Sequence, residues 1–146
     1  MNNLYNDLTV SVSRLVTRKY STSFSIAVSL LERETRDAIY SVYGFVRFAD
    51  EIVDSFHKFD KARLLKKFEE DYYEAVNQGI SLNPILNSFQ NTVRKYNIPD
   101  HLVQAFLKSM KYDLGRKEYV SEIQMDEYIR IGRGGRTYVS QNFSQG

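Results

Sequence analysis

Asp50 and Asp54 stand four residues apart, a spacing that places two side chains one turn apart on the same face of a helix. Carboxylates so close repel each other and cost an isolated helix about 0.2–0.5 kcal/mol. A bound divalent cation makes the pairing of the two carboxylates favourable, because Mg²⁺ takes hard oxygen ligands from one or two carboxylates together with water and phosphate oxygens. Arg47 precedes Asp50 by one turn, and its planar guanidinium suits a phosphate.

The helix that must carry these residues is predicted to run from about Glu34 to Phe56. At ~100° per residue its apolar residues fill about half of the circumference, and this half should face the core. They are Val42, Phe45, Val46, Phe48, Ala49, Ile52, Val53 and Phe56. A stripe about 60° wide on the other side contains Arg36, Tyr43, Arg47, Asp50 and Asp54.

Two interpretations of this stripe are open. In the first, the two aspartates hold Mg²⁺ while Arg36 and Arg47 bind phosphate. In the second, the stripe is an ordinary solvated helix face on which Arg47 pairs with an aspartate. Spacing alone favours the second interpretation, because paired acids four residues apart are common on helices.

Apolar residues recur at helical spacing along almost the whole chain, and no convincing alternating strand pattern is found. We therefore predict an all-α fold. A first helix runs over about Leu4 to Lys19, a hydroxyl-rich break over Tyr20 to Ser25, and a short apolar segment over Ile26 to Leu31. One face of the first helix contains Leu8, Val12, Leu15 and Val16.

Signals at helix ends mark the remaining elements. One helix is capped by Asp60, reaches Asn77 and ends at Gly79, and the next runs from about Pro84 to Tyr96. A further helix has Pro99 in its first turn and runs to about Leu114. A last helix is opened by Ser121 and Gln124.

Two segments together resemble the squalene/phytoene synthase family. The first is Tyr20-Ser21-Thr22-Ser23-Phe24, similar to the family's serine-bearing turn before Phe. The second, Tyr43 to Asp54, matches the family's Tyr-x-x-x-Arg-x-x-Asp-x-x-x-Asp helix. Related chain-elongating prenyltransferases use an Asp-Asp-x-x-Asp spacing and lack this turn. With Arg36–Tyr40, Met110–Leu114 and Tyr128-Ile129, the likeness covers nearly all of residues 5–129.

The resemblance implies an incomplete helical bundle of the isoprenoid synthase type. It implies a transferase that condenses two allylic prenyl diphosphates head to head with Mg²⁺, and overall likeness favours geranylgeranyl diphosphate and phytoene. By position, the metal ligands are Asp50 and Asp54, which act in catalysis with Arg47. The residues implied in substrate binding are Tyr20, Ser21, Thr22, Ser23, Phe24, Tyr43 and Arg47.

Structural alternatives stay open for several of these residues. Ser21 and Ser23 could serve as helix caps, and Tyr43 could be a core residue with a satisfied hydroxyl. Glu51 points ~100° away from Asp50 and is expected to be a supporting or solvated acid. His57 and His101 stand in polar stretches and are expected at the surface.

Composition narrows the class of protein. The chain has no cysteine, which excludes disulfides and thiolate metal sites. Its net charge of +2 comes from three arginines near the end of the sequence, which argues only weakly for nucleic acid, so none is expected as a partner. No stretch approaches ~18 apolar residues, so no transmembrane segment is expected. We expect a cytoplasmic protein, with peripheral membrane contact conceivable because products of the family are oily.

The sequence is expected to divide into residues 1–129, the N-terminal part of a synthase domain, and a divergent tail over residues 130–146. The tail could be an RNA-binding arginine–glycine segment, an ordinary disordered terminus, or the product of a reading-frame shift, which we favour. Back-translated with suitable codons and read one base later, it can encode Gly-Ser-Ala-Glu-Val-Val-Gly-Leu-Met-Cys-Leu, which is similar to the continuation of the family.

The resemblance also implies a second acid motif, Asn-x-x-x-Arg-Asp-x-x-x-Asp, which this sequence does not contain. We therefore expect the chain to be inactive alone. Two rival interpretations are a non-catalytic half-domain that binds Mg²⁺-diphosphate or a partner chain, and a plain helical interaction protein whose aspartates are only surface acids.

Overall fold

The computed structural model describes residues 4–114, which form six helices and, within that range, no strand. The predicted all-α class is confirmed. The helices are α1 (Leu4–Tyr20), α2 (Thr22–Ser29), α3 (Arg33–Ser55), α4 (Lys61–Gln78), α5 (Pro84–Tyr96) and α6 (Asp100–Leu114). The predicted last helix and the predicted boundary near residue 129 lie outside the described residues. None of the six helices combines the length and the apolar character that a membrane span requires.

Helix α3 is the centre of the fold and contacts each of the other five helices. Its apolar half packs on α4, α5 and α6 around the ring of Phe45, which is 1% exposed. The Phe45 ring stacks on Phe89 at 4.0 Å and on Phe68 at 5.2 Å between centroids. Tyr72 and Phe106 complete this aromatic cluster at 5.5 Å and 5.8 Å.

The predicted core half of α3 is confirmed for six of its eight residues. Phe48 is only half-buried, and Phe56 is exposed because α3 ends at Ser55 and the chain turns away there. The structure also buries a second side of α3, at Ser41 and Gly44, which the apolar pattern did not indicate.

The second buried side of α3 packs on α1. A Cβ atom at Gly44 would lie 3.1 Å from Ser13 Oγ and 3.2 Å from Ile85 Cδ1, so the missing side chain lets α1 and α5 approach α3 closely. Ser13 lies beside Gly44, and Tyr20 lies beside Arg47 further along. Helices α1 and α3 therefore run in the same direction, and the short α2 leads the chain back between them.

Helix α1 buries a polar face instead of its apolar one. Thr9, Ser13 and Thr17 are fully buried, whereas Leu8 and Leu15 are 57% and 47% exposed. The hydroxyls of Thr9 and Thr17 donate to carbonyl oxygens of their own helix, so their burial leaves no unpaired donor there. These short side chains allow close packing, and the leucine face of α1 is left uncovered by the described residues.

Most predicted helix ends are confirmed. The Asp60 carboxylate accepts a hydrogen bond from the Arg63 amide at 3.1 Å and caps α4. Gly79 ends α4 with φ +77°, a conformation that glycine adopts without strain. Two predictions were wrong. The break over Tyr20–Ser25 is only Ser21, and Pro99 lies just before α6, where its carbonyl accepts from Leu102 N at 3.1 Å.

Candidate active site

The serine turn is a sharp junction between α1 and α2. Ser21 Oγ accepts a hydrogen bond from Phe24 N at 3.3 Å and caps α2. The capping alternative for Ser21 is thus present, and its hydroxyl keeps a proton with which it can donate. Thr22 and Ser23 are exposed in the first turn of α2, where the helix dipole and free amide groups favour an anion.

A ring contact joins the serine turn to the central helix. The Phe24 ring stacks on the Tyr43 ring, with centroids 5.4 Å apart and planes inclined by 26°. Both side chains are half-buried. The pair therefore forms an aromatic wall between α2 and α3, on the same stripe of α3 as Arg47.

Arg47 is held in a defined orientation. Its guanidinium lies over the Tyr20 ring, 4.4 Å from the centroid, an arrangement stabilised by cation–π attraction. Its Nη2 donates to Glu51 Oε2 at 3.1 Å, and the arginine side chain is one-quarter exposed. Arg47 thus forms an ion pair with Glu51, whereas the solvated-face interpretation expected an aspartate.

Glu51 is the residue that sequence reasoning undervalued. Its carboxylate accepts a hydrogen bond from Arg47 and interacts with the hydroxyls of Ser55 and Tyr20. These interactions, that with Ser55 first, lower the pKa of Glu51 from 4.5 to about 2. The only sequence signal was its position four residues after Arg47, the spacing of a helical ion pair.

Replacing Glu51 with Gln should change the acid stability of the chain. A lowered pKa in the folded state means that ionised Glu51 stabilises the fold above pH 4.5 and loses this effect as the pH falls toward about 2. We expect the wild-type chain to melt at a higher temperature than Glu51→Gln at pH 7. The difference in melting temperature should shrink as the pH falls from 4.5 to about 2. A difference that stays constant across this range would contradict the assignment.

Asp50 and Asp54 lie in the last two turns of α3, Asp50 partly buried and Asp54 exposed. Two carboxylates one turn apart fit Mg²⁺, which needs only one or two protein oxygens beside water and phosphate. Among residues 4–114 there is no group of three or more His, Cys, Asp or Glu side chains that could hold a metal ion. A metal ion held by side chains of these types within the described residues would therefore have at most two of them as ligands.

Charged groups from α4 and α6 surround the end of α3. Burial first, and then the negative charge of Asp54, raise the pKa of Asp113 on α6. Lys61, which is only 7% exposed, donates to the Val53 carbonyl and contacts His57 Nδ1 at 2.8 Å. The sequence pattern did not indicate Asp113 or Lys61 as residues near the site.

Arg36 is not brought to this site. It precedes Arg47 by eleven residues, about 16 Å along a helix with a ~1.5 Å rise per residue. Its Nε lies 4.0 Å from Asp37 Oδ1. Of the two arginines expected to bind phosphate, only Arg47 lies with the aspartate pair and the serine turn.

Comparisons with known proteins show the family and the fold of the chain. Residues 17–131 match the family described as Squalene/phytoene synthase. The fold is similar to a crystal structure of a dehydrosqualene synthase in complex with ligand (TM-score 0.76, 18% identity, 92% of this chain and 47% of that chain). It is also similar to squalene synthase HpnC from Alicyclobacillus acidocaldarius (TM-score 0.73, 24% identity, 90% of this chain and 49% of that chain).

The chain therefore spans about half the length of these two structures, and the likeness to them shows the fold. No curated protein matches the chain. Both sequence motifs, the serine turn and the Tyr43–Asp54 segment, fall inside the matched range of residues 17–131.

Proposed function

Because the chain belongs to the squalene/phytoene synthase family, we propose that it supplies one diphosphate-binding wall of a prenyltransferase. The reaction is the head-to-head condensation of two allylic prenyl diphosphates, with geranylgeranyl diphosphate as the favoured substrate and phytoene as the favoured product. The observation that best supports this proposal is that Asp50, Asp54 and Arg47 all lie on α3. The junction at Ser21 is held against the same helix by the contact between the Tyr20 ring and Arg47.

The chemistry explains why such residues are needed. Breaking an allylic C–O bond builds negative charge on the leaving diphosphate, and Mg²⁺ bound by Asp50 and Asp54 would supply charge that stabilises it. Arg47 would donate to diphosphate oxygens through the part of its guanidinium that Glu51 does not use. The hydroxyls of Ser21 and Ser23 would orient the same group from the start of α2.

The aromatic wall has a separate role in this proposal. The Phe24–Tyr43 stack lies beside the charged stripe and would exclude water from the allylic cation. Ring faces carry a negative quadrupole, so they also stabilise positive charge. Tyr20, 49% exposed at the end of α1, would line the diphosphate side of the site with its ring, on which the Arg47 guanidinium lies.

Calorimetric titration tests this proposal. We expect the chain to bind geranylgeranyl thiodiphosphate in the presence of Mg²⁺ and to lose that binding in excess EDTA. Farnesyl thiodiphosphate should bind more weakly if the longer substrate is correct, and inorganic pyrophosphate more weakly still. Equal binding with and without Mg²⁺, or no binding, would contradict the proposed site.

A second candidate is favoured by the exposed apolar face of α1 and α2. Leu8, Leu15, Ile26 and Leu30 are all exposed, Leu30 to 83%. Such a surface is typical of an interaction site, so the described part of the chain could act as a binding half-domain that needs a partner to complete the bundle. The assay is turnover. The half-domain binds prenyl diphosphate but returns it unchanged, whereas phytoene from the chain alone would exclude this candidate.

We also propose peripheral membrane contact and a cytoplasmic location. Peripheral membrane contact would suit an oily product, and a cytoplasmic location would suit water-soluble diphosphate substrates. A plain helical interaction protein would show no response to Mg²⁺ or to diphosphate, so the titration above also separates it from the two candidates.

A further inference from the structure

We infer that Glu51 is a positioning residue, which fixes Arg47 and Tyr20 relative to each other and thereby sets the distance between the metal-binding helix and the serine turn. The inference rests on the proposed function, because the ligand that it concerns is the diphosphate. Glu51 itself is assigned no contact with substrate or metal.

The contacts around Glu51 carry the inference. Its Oε2 accepts from Arg47 Nη2 at 3.1 Å within α3. The Tyr20 hydroxyl, from the last residue of α1, lies close enough to stabilise the charged form of this carboxylate. Arg47 lies in turn over the Tyr20 ring. Three side chains from two helices thus form a closed arrangement in which each contacts the other two.

The carboxylate of Glu51 is already engaged by its neighbours. Glu51 lies ~100° around the helix from Asp50 and ~60° from Asp54, and its Oε2 accepts from Arg47, one turn before it. Ser55 and Tyr20 also lie close enough to stabilise the charged form of this carboxylate. A metal ion would have to displace these donors, so Glu51 is better suited to orient its neighbours than to bind Mg²⁺.

The orientation of Arg47 leaves part of its guanidinium for a ligand. Glu51 takes Nη2, and the Arg47 side chain is still 25% exposed, whereas its buried Nε atom has no hydrogen-bond partner within residues 4–114. A buried donor without a partner is unusual in a folded protein. Holding a long side chain in one rotamer before a ligand arrives reduces the entropy lost on binding, which is the advantage that Glu51 provides.

A double-mutant cycle tests this role. We compare wild type, Glu51→Gln, Tyr20→Phe and the double variant for binding of geranylgeranyl thiodiphosphate with Mg²⁺. Each single change should weaken binding about tenfold, the scale typical of residues that orient ligand-binding groups. The dissociation constant of the double variant should stay within about twofold of that of the more affected single variant. Independent, multiplying losses, or wild-type affinity in Glu51→Gln, would overturn the inference.

A readout without ligand separates this inference from the proposed function. The Nε–H resonance of Arg47 in a side-chain ¹⁵N spectrum should shift in both Glu51→Gln and Tyr20→Phe, and should stay in place in Glu70→Gln, a change at an exposed residue of α4. If the wild-type chain does not bind the analogue, the proposed function fails. The spectrum still shows whether Glu51 and Tyr20 hold the Arg47 side chain. An Arg47 signal that both variants leave unchanged would overturn the inference.

Discussion

Replacing either Asp50 or Asp54 with Asn will abolish the thermal stabilisation that Mg²⁺ and a prenyl thiodiphosphate give the chain. A ligand at 100 times its dissociation constant should add ~2.7 kcal/mol to the wild-type free energy of unfolding. Each Asn variant loses one negative ligand of a two-carboxylate site, and Mg²⁺ depends on such charged oxygens. The measurement is the melting temperature with and without both ligands.

The same variants give a second result without ligand. Because like charges one turn apart cost about 0.2–0.5 kcal/mol, the Asn variant of the exposed Asp54 should be as stable as wild type or slightly more stable, whereas Asp50 also interacts with the charge of Arg47. Asp7→Asn is the matched control, since Asp7 is an exposed helical aspartate near the far end of α1. It should keep the full ligand response. A ligand response that survives in both Asp50→Asn and Asp54→Asn would show that the metal, if it binds, binds elsewhere.

Replacing Phe45 with Ala will cost the fold about 3–5 kcal/mol. The Phe45 ring is fully enclosed and contacts the rings of Phe68, Tyr72, Phe89 and Phe106, which come from α4, α5 and α6. Removing it leaves a cavity where three helices meet α3. Since domains of this size have only about 5–15 kcal/mol of stability, this single change should remove a large part of it.

Urea denaturation followed by circular dichroism measures this loss. Phe59→Ala is the control, because Phe59 is 67% exposed and follows α3 on the surface. It should change the free energy of unfolding by less than about 0.5 kcal/mol. Equal losses for the two variants would mean that the aromatic cluster around Phe45 does not hold the helices together.

Local signals predicted the helix ends well. The Asp60 cap, the left-handed Gly79 and the bounds of α5 all depend on residues within one turn of the helix end, so the sequence contains what decides them. Asn97, which ends α5 with φ 51°, was not anticipated. Asparagine tolerates that conformation better than most residues, but its presence alone does not mark a helix end.

Burial and partners were predicted less well, because they depend on what packs against a helix. Helix α1 has one apolar stripe and one hydroxyl stripe, and the rule that apolar residues face the core selects the wrong one. The hydroxyl stripe is buried because Gly44 allows a close approach that small side chains fill. Glu51 was undervalued for a similar reason, since its partner Tyr20 is distant in the sequence.

Locating the bound metal ion is the most direct test of the proposed site on α3. With Mn²⁺ in place of Mg²⁺ and the thiodiphosphate analogue present, the paramagnetic ion will broaden the backbone amide signals nearest to it. The strongest broadening is expected over residues 47–55 of α3, followed by the junction over residues 20–24. Broadening centred instead on Glu69, Glu70 and Glu74, the acidic face of α4, would contradict the proposed site.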